Sequence, residues 1–346
     1  MVAPVVKGFI LAAGFGTRLK PITELVPKPL VPVAHVPLIG YSLSLLASHG
    51  IKEVIVNTHH LGDELKAALG SGEAYGVSIE YSDEEEILGT GGGLKKMHEQ
   101  LSDDTFVVVN SDTLIDLDLG RVLEFHRAHG ALATMVLREQ PEEGGYGQIE
   151  IDAAGRIRRI LGTGEQQEDL RSLMFTGVHI LEPRFLEYIP PDVETCINRY
   201  AYLKALSNQE KLFGYVADGY WEDAGTSARY FQANIDALNQ DMALSHIDPL
   251  GGYALSPRKQ EVEAVRMGAH VELGKDVRLL PPLVLGDEVR IGDNAVVGPY
   301  CVVGDRVQIG RDSEIEHCVL LNGTRLEPGE RLSRMVIARK HRLQVD

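Results

Sequence analysis

The chain has 346 residues, 44% of them hydrophobic and 24% charged, which is an ordinary globular composition and not that of a disordered chain. Lysine plus arginine come to 34 and aspartate plus glutamate to 50, so the formal charge is 34 − 50 = −16. That balance excludes general binding to nucleic acid or to an anionic membrane, because the phosphate field would repel the protein. Any phosphate chemistry must therefore be local or assisted by a metal ion. At about 150 residues per domain the length favours two domains. The three cysteines, Cys196, Cys301 and Cys318, form no CxxC pair and fit reduced thiols in a cytoplasmic protein. No apolar run reaches the length of a membrane span. MVAPVVKGFILAAG lacks a basic leader and reads as a first buried strand, not a signal peptide.

From residue 5 to about 112 strand and helix alternate. VVKGFILAA, closed by glycine, predicts a central parallel strand. PLIGYSLSLLASHG predicts a helix ending at Gly50, EVIVNT a strand over 53–58, and LGDELKAALG a short helix ending at Gly70. VSIEYSDE and TFVVVNSD read as strands on either side of a helix around Leu94–Leu101. This order predicts an α/β fold, a Rossmann-like doubly wound mixed sheet, with its ligand site at the carboxyl ends of the strands. Residues 113–245 continue as mixed α/β, with a helix near 118–129, strands ALATMVLRE, GQIEID and MFTGVHIL, and a helix at 226–239. A catalytic unit over 1–245, a linker over 246–264 and a repeat domain with a tail over 265–346 are expected.

The repeat domain has a period of six. Stepping from Val265 gives Val271, Val277, Leu283, Val289, Ala295, Cys301, Val307, Ser313 and Val319, and two residues after each stands an apolar side chain. Glycine follows that apolar residue in seven of the ten hexads, from Gly268 to Gly310. Inward aliphatic residues stacking coil on coil, with glycine at tight corners, predict a short parallel β-helix of about three coils.

The chemistry concentrates in LAAGFGTRLKPITELVPKPLVPV, residues 11–33. After a buried strand, Gly14 and Gly16 lie where the backbone must turn and present amides to phosphate oxygens. The GxxxxGK[ST] spacing is missing, so this is no P-loop. A dinucleotide fingerprint also fails, since Leu19 holds the third glycine position and the second strand ends in Asn57–Thr58 without an acid. Arg18, Lys20 and the proline-braced Lys28 instead make a polyphosphate clamp.

That string resembles the signature of the sugar-1-phosphate nucleotidyltransferases, the nucleotide-sugar pyrophosphorylases. GTGGGL at 89–94, NSD at 110–112, YG at 146–147, FTGV at 175–178 and WEDAGT at 221–226 follow in family order. The resemblance covers about residues 5–240. A hexapeptide-repeat left-handed β-helix is a common appendage in this family. The TGGG and NTHHL features are similar to those of mannose or heptose guanylyltransferases and muramate uridylyltransferases.

The resemblance implies that a sugar 1-phosphate attacks the α-phosphorus of a nucleoside triphosphate in line, releasing pyrophosphate, with no protein nucleophile. Mg²⁺ is the implied cofactor, held by Asp112 at a strand's carboxyl end and by Asp223 of WEDAGT. Arg18 is implied on the β- and γ-phosphates and Lys28 on the α-phosphate. Leu11 is implied in the nucleotide site, Gly14, Gly16 and Thr17 along the triphosphate, Ala12, Ala13, Gly89 and Thr90 at the base, and Gly147 and Gly177 in the sugar pocket. A flexible helix-entry loop is the other reading of Gly89–Gly93.

One departure weakens the sugar site. The family's EKP segment is here RIRRILGTGEQ without its lysine. Arg158 or Arg159 could substitute, and exposed strand charges are the alternative. His59–His60 suggests a loop or sugar-pocket role. DEEE at 83–86 reads as a solvated strand end, its nearness to the base loop being the reason to consider function, and Trp221 reads as core. GTP with a mannose- or heptose-type 1-phosphate is the leading substrate pair, and UTP with an amino-sugar 1-phosphate the alternative. A bifunctional hexapeptide acyltransferase and a non-catalytic regulatory paralogue are weaker readings. A homo-oligomer is expected, with the β-helix as the contact to consider.

Overall fold

The computed structural model describes residues 6–140, 145–251, 254–255 and 265–345. Of the expected linker 246–264, residues 252–253 and 256–264 lie outside the described residues. Contacts group Met1–Phe15, Pro27–Pro29 and Ile39–Trp221 into one compact unit. Gly16–Val26, Leu30–Leu38 and Glu222–Asp346 form the other. The grouping does not follow chain order, because the middle of the phosphate loop belongs with the repeats.

The first unit is built on a ten-stranded mixed sheet. Ser78–Asp83, Glu53–Thr58, Lys7–Leu11 and Phe106–Asn110 lie side by side in that order, all parallel. Their strand order reverses between Lys7–Leu11 and Phe106–Asn110, which makes the carboxyl ends of these two strands the topological switch point. Phe9, Ile10 and Val107 to Val109 are fully buried, as their continuous apolar runs require. Gly8 is bare because a Cβ there would sit 2.7 Å from Leu46 of the helix Leu38–Ser48, so that helix packs directly on the strand. Arg171–Leu181 joins antiparallel to Phe106–Asn110, and Ala133–Arg138 and Gln148–Ile151 pair antiparallel with it.

The helix expected around Leu94–Leu101 instead spans Gly89–Lys96. Three glycines that ordinarily weaken a helix are inside it because there is no room for a side chain. A Cβ on Gly91 would lie 3.0 Å from the Thr195 carbonyl, on Gly92 2.9 Å from the Val193 carbonyl, and on Gly93 2.7 Å from Glu84 Oε1. Close packing outweighs propensity here.

In the second unit the repeats stack as parallel strands. On one face Val265–Met267, Leu283–Leu285 and Cys301–Val303 follow at 18-residue intervals. The next step is shorter, pairing Val302 with Val319 and Val303 with Leu320, and the strand Glu314–Leu320 then pairs with Arg331–Ala338. The repeat thus continues past the three coils expected and drops one residue, which places Cys318 and Leu320 inside where the strict period put Val319 and Leu321. Ala254–Leu255 pairs antiparallel on Val265–Met267, and His341–Gln344 antiparallel on Arg331–Ala338.

The glycines act differently from the expectation. Left-handed corner residues are His270, Asp276, Glu288, Asn294, Tyr300, Arg306, Asp312 and His317, not the hexad glycines apart from Gly298. Gly268, Gly274, Gly286 and Gly304 are bare because the backbone or an Asp or Asn side chain of the next coil comes within 2.3–2.8 Å of a would-be Cβ. One such ladder runs from Ala269 N–H to Asp287, Asp287 N–H to Asp305, and Asp305 N–H to Asn322.

Candidate active site

At the switch point of the first unit, Leu11 ends its strand and Ser111 N–H donates to the Leu11 carbonyl at 3.1 Å. Asp112 follows, and its carboxylate holds the Lys28 ammonium. Lys28 comes from PKPL, so two segments 84 residues apart converge there. Both side chains are largely withdrawn from solvent, 12% exposed for Lys28 and 20% for Asp112.

Ala12 N–H donates to Asn57 Oδ1 at 2.7 Å, while Asn57 Nδ2 donates to Glu84 Oε1 at 2.7 Å. Glu84 Oε2 accepts Leu88 N–H at 2.8 Å, just before Gly89. Glu84 is only 5% exposed, so the first glutamate of DEEE is buried, whereas Asp83, Glu85 and Glu86 are exposed. Its position at the end of a parallel strand was the signal that could have found it. Gly89 adopts a left-handed φ of +68, and a Cβ there would lie 2.8 Å from the Thr195 carbonyl. Gly91 N–H donates to that carbonyl and Thr195 N–H to the Leu88 carbonyl. The Thr90 hydroxyl accepts Ile197 N–H at 2.9 Å, so it is engaged by the protein itself. The segment around Thr195–Ile197, which carries no sequence motif, is what braces the glycine helix.

Ala13 is buried and Gly14 open, with nothing within 4 Å of a would-be Cβ. The fold itself does not demand glycine at 14. Phe15 is 43% exposed and meets His59 edge-on at 5.3 Å and His60 at 5.7 Å. His59 Nδ1 is fixed against the Glu84 carbonyl at 2.9 Å.

In the second unit Gly16 makes the sharp turn, with φ 62, and Thr23 Oγ1 donates to its carbonyl. Thr17 and Arg18 open the 3-10 turn Thr17–Leu19. Lys20 does not join a clamp; it pairs with Glu24 at 3.2 Å on the surface. Arg18 instead approaches WEDAGT. A Cβ on Gly225 would meet Asp223 Oδ1 at 2.6 Å and Arg18 Nη2 at 2.8 Å, so glycine lets the guanidinium come close. Asp223 accepts Gly225 N–H and faces Arg229, and Thr226 caps the helix Ser227–Asn239 that follows. Next to this, His35 is held between its hairpin and the repeats, 3.9 Å from Asp305, and burial lowers its pKa to about 4.

The two glycines expected at the sugar lie in different surroundings. Gly177, with φ +99, brings its backbone against Thr113 and Asn110, where a Cβ would lie 2.4 Å from the Thr113 hydroxyl. Gly147 is exposed. Trp221 is half-buried, not core: its Nε1 donates to the Thr176 carbonyl, Tyr146 packs on it edge-on, and Arg138 lies over the ring. Arg158 is tied to Asp152 at 2.7 Å and Arg159 to Glu150 at 2.8 Å, each by a carboxylate of the same hairpin.

Residues 7–240 match the nucleotidyl transferase family, and residues 288–323 the bacterial transferase hexapeptide repeat. The chain belongs to the nucleotidyl transferase family. This nucleotidyltransferase is 33% identical over 340 residues, 94% of its own length and 85% of the relative's, to the UTP–glucose-1-phosphate uridylyltransferase of Synechocystis sp.. It is 32% identical to the mannose-1-phosphate guanylyltransferase of Mycobacterium tuberculosis over 79% of its length and 78% of that protein's. The structure of HddC from Yersinia pseudotuberculosis complexed with GMP-PN shares its fold, with a TM-score of 0.56 at 24% identity over 66% of this chain and 98% of that one. Among the described residues no helix is long and apolar enough to cross a membrane.

Proposed function

We propose that this nucleotidyltransferase condenses a nucleoside triphosphate with a sugar 1-phosphate, giving a nucleoside-diphosphate sugar and pyrophosphate, and that the pair is GTP with a mannose- or heptose-type 1-phosphate. The Lys28–Asp112 pair at the switch point carries this reading, because it sets a cation and a metal-type carboxylate where an α/β ligand site belongs. The mycobacterial relative supports the guanylyl choice.

An oxygen of the sugar 1-phosphate attacks the α-phosphorus as the bond from that phosphorus to the bridging oxygen breaks, and pyrophosphate carries the electrons away. The Lys28 ammonium neutralises the α-phosphate, and the Arg18 guanidinium grips the β- and γ-phosphates with its planar donors. Gly14, Gly16 and Thr17 line the triphosphate, Ala12, Ala13, Gly89 and Thr90 the base, and Gly147 and Gly177 the sugar, with Leu11 also in the nucleotide site. Asp112 already holds a cationic group and would hold Mg²⁺, with Asp223 as the second carboxylate that the family resemblance implies. When bound, the ion neutralises charge developing on the phosphate oxygens. A cytoplasmic location and self-association belong to the same reading.

The cyanobacterial relative, matching over most of both chains, favours a second pair: UTP with a glucose- or amino-sugar 1-phosphate. Pyrophosphate release from each nucleoside triphosphate against a panel of sugar 1-phosphates decides between them. No release with any pair would sink both.

A further inference from the structure

We propose that Asn57 and Glu84 form a hydrogen-bond relay of fixed polarity that positions the two backbone segments receiving the nucleobase. The inference rests on the nucleotide assignment above and deepens it.

The relay begins and ends on backbone N–H groups, which can only donate. Ala12 N–H stands at one end, 2.7 Å from the side chain of Asn57, and Leu88 N–H at the other, 2.8 Å from that of Glu84. The first end dictates that Asn57 turns its oxygen to Ala12, which leaves its NH₂ facing residue 84. Residue 84 therefore meets a donor on each side and must present two acceptor oxygens, which a carboxylate has and an amide lacks. With Asn57 2% and Glu84 5% exposed, water has little access to repair a mismatch, and an unmet donor here carries its full desolvation cost.

The geometry around the pair has no slack. A Cβ on Gly93 would lie 2.7 Å from Glu84 Oε1 and 2.9 Å from Asn57 Nδ2, so this glycine is bare to admit the relay. Glu84 also fixes its neighbours through its backbone, donating N–H to the Thr58 carbonyl and offering its own carbonyl to His59 Nδ1. Ala12 lies at the exit of the first strand and Leu88 immediately before the glycine helix. The relay thus sets one against the other across a buried link of two side chains. Glu84 is a positioning residue and need not touch the reacting phosphates.

Only one other pairing satisfies both ends, an acid at 57 with an amide at 84. The introduced aspartate would accept from Ala12 and from the introduced glutamine, whose oxygen would accept from Leu88. The test compares wild type, Glu84→Gln, Asn57→Asp and the double variant by steady-state kinetics in both substrates, with thermal unfolding alongside. Each single variant should raise the KM for the nucleoside triphosphate about tenfold or more, from one unmet or repelled polar contact, with the sugar-phosphate KM changing less than about threefold. The double variant should return the nucleotide KM to within about threefold of wild type.

Additive losses in the double variant, or silent single variants, would overturn the relay. Should a single variant not fold, Gly93→Ala reports on the same contact without altering a polar group. Helix propensity alone favours that change, so a raised nucleotide KM supports the relay and an unchanged one removes it. A wild type that turns over no triphosphate would remove the functional reading and the relay together, whereas an active wild type with unaffected variants removes the relay alone.

Discussion

The Lys28 ammonium rests on the Asp112 carboxylate, tying the PKPL turn to the carboxyl end of the strand Phe106–Asn110. Each group neutralises the other in a place where both are mostly shielded from water. On the proposed function, a reacting phosphate and a metal ion would replace the two partners.

Removing one member should separate activity from stability. Lys28→Met or Asp112→Asn should lower turnover by about 10²-fold or more and destabilise the protein by about 1–3 kcal/mol through the charge left behind. The double variant should regain most of the stability and none of the activity. Urea denaturation and pyrophosphate-release rates on all three variants check this; near-normal turnover in Asp112→Asn would remove the metal assignment.

Arg18 and Lys20 are two residues apart and should differ sharply. Lys20 spends its charge on Glu24 at the surface, and Lys20→Ala should leave turnover within about twofold, as such exposed pairs are weak. Arg18→Ala should cost about 10²-fold in kcat/KM for the triphosphate. Equal losses would contradict the placement of Arg18 beside Gly225.

Acid should weaken the fold through two buried imidazoles. Burial lowers His179, packed on Tyr202, to about 3, and His35 to about 4. Unfolded histidine takes a proton near 6.5, so below that pH the unfolded chain binds more protons and stability falls until the folded groups titrate. Each should contribute about 2 kcal/mol of loss between pH 7.5 and pH 5. Urea midpoints at these two pH values test it, and a flat profile would contradict the burial of both.

Thiol labelling gives a simple check on the repeats. Cys196 is exposed, whereas Cys301 and Cys318 are buried. Burial raises the Cys318 pKa to about 11 and pushes Cys301 higher still. One thiol per chain should react with an aromatic disulfide reagent under native conditions, and three in denaturant.

Much of this architecture was legible because it rests on local pattern. The parallel strands carry continuous buried apolar runs, and the repeats carry a strict inward alternation, so both could be recognised without tertiary information. In the candidate site, Gly16, Arg18, Lys28 and Asp112 stood out for a related reason: short segments with their own turn and strand signals display them. What escaped was decided by distant neighbours. Nothing near Gly91 or Gly93 in sequence says that Thr195 and Glu84 fill the space a side chain would need. Glu84 looked like one of four solvated acids, and its buried contact with Asn57 separates it from Asp83, Glu85 and Glu86. The carboxylate partners of Arg158 and Arg159 across the hairpin were not legible either, because they depend on the pairing of two strands. The dropped residue near His317 left no sign beyond a hexad that still looked regular.

The two antiparallel strands that flank the repeat sheet, Ala254–Leu255 and His341–Gln344, set a limit on assembly. A coil end with unpaired parallel backbone is an adhesive edge, on which another molecule could lay its own first coil and start an open filament. On this face each end is closed by a short strand running the wrong way for such growth, and the outer one carries Arg342. Along this face the described residues therefore leave no free parallel edge on which a further coil could start.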